Sequence, residues 1–359
     1  MMRFLLFHLD KFYDGGSVPV RVLVTILLVA SGALLTVFPG YAQSPFSHEL
    51  HLEYLPKTGD NGRDLTVHLH SWGLTGSDVE DLEEMLPGTV VTFDLPDAPR
   101  DRSSELKVLS KMIPKTSFGQ LPEVLITVWV LREALRHHEP ERVFLAGCSR
   151  GGSLALNAAY FLMLVSGRCA PTTRADVMSA CIFCRSLPRI GVTQDECGVM
   201  LEKLLCGGLI MDCPPVNINR LFTKENIRMI LPFSLPESFV RFGLRWFTRY
   251  RLDGMQAEYS LARINELCPE LNCLLHMEKH DRVVGGAQKN AGFIQGLLGG
   301  ACRNESLGVR IVHEGTDAEG HFYDRYDSSL SGEIAEFLNQ IDARLSAQPF
   351  CKKATERQL

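Results

Sequence analysis

The 359-residue sequence predicts an α/β protein, a mostly parallel sheet flanked by helices and carrying a helical cap insertion. Three observations lead there. Short apolar, β-branched runs alternate with amphipathic helical stretches, the rhythm of crossovers between parallel strands. A glycine-bracketed serine, Ser149, stands between one such strand and one such helix. The alternation breaks once, over residues 185–267, and then resumes.

The elements follow in order. His48 to Leu55 and Asp64 to His70 alternate, and the turn-rich link Lys57 to Gly62 predicts a β-hairpin between them. Asp78 to Leu86 reads as a short helix ended by Pro87-Gly88, and Thr89 to Phe93 as a buried strand. After a loop from Asp94 to Arg102, Leu121 to His137 has apolar residues at helical spacing. Arg142 to Gly147 predicts a strand, Gly151 to Val165 a helix and Val177 to Cys184 another strand. From Arg185 to Leu267 there is no strand signal, only helical stretches punctuated by prolines. The strand Leu271 to Met277, the helix Gly285 to Leu298, the strand Val309 to His313 and the helix Ser331 to Leu345 complete the pattern. The core therefore spans 43–184 and 268–350, the cap 185–267, and a loose tail 351–359.

Residues 1–42 differ from the rest. Val22 to Phe38 carries no charge, Arg21 precedes it, and Gly40 and Ala42 suit a signal-peptidase site before Gln43. The segment predicts a cleaved signal or an uncleaved anchor. Either makes the chain exported (secreted, periplasmic or lumenal) or membrane-anchored, with its main domain outside the cytoplasm. All 11 cysteines lie after this segment, so some disulfides are expected, and the odd count leaves at least one thiol over. Cys181-x-x-Cys184 reads as two small core residues of a strand, since a zinc site needs a second ligand pair at suitable spacing. A net charge of -5 provides no basic field and excludes nucleic acid as an expected partner. No metal or organic cofactor is implied.

The chemistry centres on Gly147-Cys148-Ser149-Arg150-Gly151. Between strand and helix, G-x-S-x-G forms a tight turn that holds the serine in a strained conformation and lifts its hydroxyl above the sheet. The helix N-terminus behind it favours developing negative charge. A serine needs a base, and the base an orienting acid; where the serine sits on such a strand-to-helix elbow, the order along the chain is serine, acid, histidine. His321, in the loop after the final strand and preceded by Gly320, is the candidate base. Asp281, just past the strand ending at Met277, is the candidate acid; no carboxylate follows Cys184 before Asp195. Glu278 is its nearest rival. The oxyanion needs two backbone N–H donors. Arg150 supplies one, and Trp72 or Ser71, in His70-Ser71-Trp72-Gly73, supplies the other.

Together these pieces resemble the α/β-hydrolase superfamily over about residues 48 to 186 and 268 to 345. The resemblance implies a Ser149–Asp281–His321 triad and cleavage of an ester-like bond, carboxylester or thioester, through an acyl-serine intermediate. The implied substrate is a small-molecule or lipid-like acyl ester; the apolar N-terminal segment, if it is an uncleaved anchor, adds membrane association. A serine peptidase of the same fold and a non-catalytic binding protein are the alternatives. The first loop departs from the family's usual His-Gly, because Ser71 carries a side chain. Within the cap, Phe239, Phe242, Trp246 and Tyr250 form an aromatic helical stripe, which either packs the cap onto the core or lines an acyl pocket.

Overall fold

Thr89–Phe93 is buried at every position and Asp64–Leu69 at all but its first. Strands buried on both faces belong inside a sheet covered on both sides by helices, and the computed structural model of the chain has them there. It describes residues 50–71, 84–95, 117–217, 255–299, 308–314 and 328–347, apart from 51, 58–61, 118, 169, 280, 282, 283 and 285.

The strands are β1 (Leu52–Leu55), β2 (Asp64–Leu69), β3 (Thr89–Phe93), β4 (Arg142–Cys148), β5 (Gly208–Asp212), β6 (Cys273–Met277) and β7 (Arg310–Glu314). The helices are α1 (Leu121–His137), α2 (Arg150–Val165), α3 (Arg174–Ile190), α4 (Gln194–Cys206), α5 (Ala257–Leu267), α6 (Gly286–Lys289), α7 (Ala291–Gly299) and α8 (Ser328–Ala347). They build a 7-stranded sheet in the order β1-β3-β2-β4-β5-β6-β7. Only β1 is antiparallel, against β3.

Alternate residues divide the core in two. Leu65, Val67, Leu145 and Met211 face α1, α2, α4 and α5, while Val90, Phe144, Ala146 and Ile210 face Leu330, Ile334 and Phe337 of α8. Every residue of α2 is buried, because the helix lies between the sheet and α1, α3, α4 and α5. A helix so enclosed has to be apolar nearly all round, as its run Leu-Ala-Leu-Asn-Ala-Ala-Tyr-Phe-Leu-Met is.

The structure corrects four expectations. β1 and β2 do not form a hairpin: β3 lies between them. β2, apolar on one face and buried on both, needs a partner along each edge and takes β3 and β4. Residues 177–184 form no strand but the middle of α3. A short apolar run fits either element, and here the flanks decide. Thr173 and Asp176 make a reciprocal capping box, and Gly191 ends the helix at φ 63°. Phe183, Leu187 and Ile190 face inward, so Cys181 and Cys184 are exposed rather than core residues. The sheet strand is instead β5, inside the stretch expected to be cap, so residues 185–217 belong to the core layers. Its two leading glycines, Gly207 and Gly208, read as a turn in sequence, yet they admit the close approach of Val143 and Asn272. Finally, the helix expected over 285–298 is two, α6 and α7, broken at Asn290.

Cys206 is disulfide-bonded. Among the described residues no helix is long and apolar enough to cross a membrane. The signal or anchor segment 1–42 and the tail 351–359 lie outside the described residues.

Candidate active site

Ser149 follows the last residue of the central strand β4 and precedes the first residue of α2. It has φ 50° and ψ -119°, one of two non-glycine residues with positive φ among those described. Such backbone costs on the order of 1–3 kcal/mol and persists only where the surroundings enforce it. Here two close approaches enforce it. A Cβ on Gly151 would overlap the Leu69 carbonyl of β2, and one on Gly147 would overlap the Gly151 backbone. The Ser149 amide is tied down as well, donating to the Asp212 carbonyl at 2.7 Å. This is the strained strand–elbow–helix turn that the sequence predicts at Ser149.

A mostly parallel seven-stranded sheet, flanked by helices and bearing a serine elbow after its central strand, is the arrangement expected from the sequence resemblance. No protein-family model matches the sequence, and no curated protein matches it. Among solved structures the chain is similar to a monoacylglycerol lipase from Paleococcus ferrophilus, 14% identical over 82% of this chain and 100% of that one, with a TM-score of 0.42. It is similar to acyl-protein thioesterase 2 from Zea mays, 12% identical over 81% and 98%, with a TM-score of 0.40. It is also similar to an esterase from Pyrococcus furiosus, 13% identical over 82% and 91%, with a TM-score of 0.44.

Around the elbow the polar groups are buried and ordered. Arg150, 2% exposed, directs its guanidinium inward, with Nη1 3.7 Å from Glu123 Oε1. Glu123 in turn accepts the backbone N–H groups of Ser117 and Gly119, each at 2.7 Å. The side chain of Arg150 is thus locked, and with it the amide expected to serve the oxyanion. Ser71 is buried at the end of the neighbouring strand β2. The His70 ring orients it: Nε2 accepts Leu95 N–H at 2.9 Å, so Nδ1 carries the proton and donates to the Ser71 carbonyl at 2.9 Å.

Asp281 is 3% exposed, and its Oδ1 accepts Val284 N–H at 2.8 Å. It lies beyond the C-terminal end of β6, on the same edge of the sheet as Ser149. His321, Trp72, Phe239, Phe242 and Trp246 lie outside the described residues, and the cap's aromatic stripe with them. His313 sits in β7 with Nδ1 3.3 Å from Glu333 of α8, as its place in a strand facing a helix predicts.

Sequence reasoning missed Asp212. The strand before β6 does end on a carboxylate, once that strand is β5 rather than 177–184. Cys148, Asp212, His276 and His313 are register partners in one row across β4, β5, β6 and β7. Asp212 Oδ1 is 2.7 Å from His276 Nδ1, and His276 stacks on His313 with ring centroids 5.2 Å apart. Burial alone would raise the Asp212 carboxyl. The His276 imidazole and the thiols of Cys148 and Cys213 outweigh it and hold the group below the usual carboxylate range. In this row the carboxylate separates β4 from the imidazole, the reverse of the serine–histidine–acid order a triad needs. The Asp212–His276 pair is therefore distinct from a nucleophile–base pair.

Proposed function

We propose that the protein is a serine hydrolase that cleaves an ester-like bond through an acyl-Ser149 intermediate. The positive φ of Ser149 carries this reading, because strain at a buried elbow favours no packing role and is kept where a hydroxyl must be presented. Ser149 Oγ attacks the acyl carbonyl carbon while His321 removes its proton. Asp281 orients the imidazole and balances its charge. The backbone N–H of Arg150, with that of Ser71 or Trp72, receives the oxyanion. The leaving alcohol or thiol takes the proton from His321. Water, deprotonated by the same histidine, then releases the acid and restores Ser149.

The substrate in this reading is a small-molecule or lipid-like acyl ester. Phe239, Phe242 and Trp246 form a wall for the acyl chain, and the protein acts outside the cytoplasm after export on its N-terminal segment. Each methylene buried against that wall contributes about 0.8 kcal/mol of binding. The test compares nitrophenyl acetate, butyrate and octanoate with peptide substrates, for wild type and Ser149→Ala. The reading expects ester turnover that rises with acyl length and vanishes in Ser149→Ala. Peptide cleavage without ester turnover points to a peptidase. Inertness toward every substrate points to a binding protein.

A further inference from the structure

One strand beyond the elbow, three side chains of different chemistry converge. Asp212 ends β5, Cys213 follows it, and His276 stands opposite Asp212 on β6. One carboxylate oxygen, the thiol sulfur and one imidazole nitrogen all lie within 4.8 Å of one another. A tetrahedral zinc ion, with bonds of about 2.0–2.3 Å, holds its ligand atoms roughly 3.3–3.8 Å apart. Asp212 Oδ1 and His276 Nδ1, hydrogen-bonded to each other at 2.7 Å, would part to admit the ion between them.

The Glu278 backbone N–H donates to Cys213 Sγ at 3.4 Å and favours a thiolate, while burial and the neighbouring Asp212 push the thiol well up, so a bound cation has to displace its proton. His276 Nδ1 faces Asp212, and its Nε2 has Glu278 Oε1 3.8 Å away, beyond hydrogen-bond reach. The stack on His313 holds the plane of that ring. Cys213 adopts φ 42°, the second strained non-glycine position among the described residues.

A separate observation lies beside the cluster. Asp212, Cys148 and His68 reach a small cavity whose remaining wall is apolar, made by Leu86, Ala146, Ile210, Leu330 and Ile334. His68 is 3% exposed, and neither of its ring nitrogens has a hydrogen-bond partner among the described residues. An orphaned imidazole is costly to bury. Burial, with the neighbouring His70, pushes its pKa down to about 3, so it stays neutral, the form that ligates a metal or bonds a metal-bound water.

We propose that Asp212, Cys213 and His276 bind a thiophilic divalent cation, zinc foremost, beside the cavity that Asp212 shares with His68 and Cys148. Mixed sulfur, nitrogen and oxygen donors select zinc-like ions over magnesium or calcium. One thiolate and one carboxylate neutralise the two positive charges, which suits a buried site. Coordination breaks the Cys213 S–H bond and releases its proton to solvent. Sequence spacing hides the site, since Asp212 and His276 are 64 positions apart and meet only through β5–β6 pairing. The inference does not depend on the hydrolase reading.

The test uses the full chain, stripped by chelation and titrated with Co(II) under reducing conditions. Wild type is expected to take up one ion per chain, with tetrahedral visible bands and a thiolate-to-cobalt charge-transfer band. Cys181→Ser/Cys184→Ser, which removes the exposed thiols of α3, should leave both unchanged. Cys213→Ser should abolish the charge-transfer band, and His276→Gln should weaken binding at least about 100-fold. If circular dichroism shows Cys213→Ser to be unfolded, His276→Gln decides. The proposal is overturned if wild type takes up no cobalt, if the signal follows Cys181 and Cys184, or if the decisive variant binds like wild type.

Discussion

The backbone N–H of Ser149 donates to the carbonyl of Asp212 at 2.7 Å, tying the elbow after β4 to the end of β5. The strained serine is thereby held from two sides, by the glycines of its own turn and by the next strand. Strain maintained in this way can be relieved by mutation.

Ser149→Gly removes the Cβ that makes φ 50° unfavourable. Its stability in urea denaturation is expected to equal or exceed that of wild type, by up to about 1 kcal/mol, with no ester turnover. Ser149→Ala keeps the strain and should gain nothing. A loss of more than about 1 kcal/mol in the glycine variant would argue against stored strain.

Gly151→Ala sets a methyl group against the Leu69 carbonyl, where the nearest atoms are backbone and cannot rotate away. The variant should lose at least about 3 kcal/mol, or fail to accumulate as folded protein. A near-normal melting temperature would contradict the close packing of α2 on β2.

Glu123→Gln leaves the buried guanidinium of Arg150 without its carboxylate. It also turns an amide donor toward one of the two backbone N–H groups, of Ser117 and Gly119, that Glu123 accepts. Breaking a buried pair in this way costs about 3–5 kcal/mol. Ester turnover should fall in kcat more than in KM, because in the proposed mechanism the amide of Arg150 serves the transition state. A drop confined to KM would detach this ion pair from the oxyanion.

Asp176 is buried between α3 and α5, with Arg263 Nη2 at 2.6 Å and the Tyr160 hydroxyl at 2.9 Å. Burial raises its carboxyl, but hydrogen bonds from Thr173, Arg263 and Tyr160 prevail and hold the pKa at about 2. A carboxyl depressed on folding stabilises fully above its unfolded pKa, about 3.9, and loses that contribution as pH falls toward 2. Wild type should therefore exceed Asp176→Asn in stability at pH 7, and the gap should narrow between pH 4 and 2. A constant gap across that range would contradict the assignment.

Much of this was legible in sequence where local signals agree with the final environment. Thr89–Phe93 and Leu121–His137 match their expected bounds, and the elbow was readable because strand, glycines and helix are contiguous. What failed was partnering. Nothing local in residues 52–69 says that β3 will separate β1 from β2. α3 resembles a strand because Val177, Met178 and Ile182 are apolar yet exposed, against the usual equation of apolar with buried. β5 resembles a turn because its glycines answer to neighbours distant in sequence. Asp212 was lost with β5, and with it the row that reaches His276 and His313.

The central claim is that Ser149 is the nucleophile, and covalent trapping tests it most directly. Intact protein is treated with a fluorophosphonate and digested, and the adduct is located by tandem mass spectrometry. The account predicts a single phosphonylated residue, Ser149, in wild type, and no adduct in a folded Ser149→Ala variant. An adduct on another residue, or labelling that survives Ser149→Ala, would contradict it.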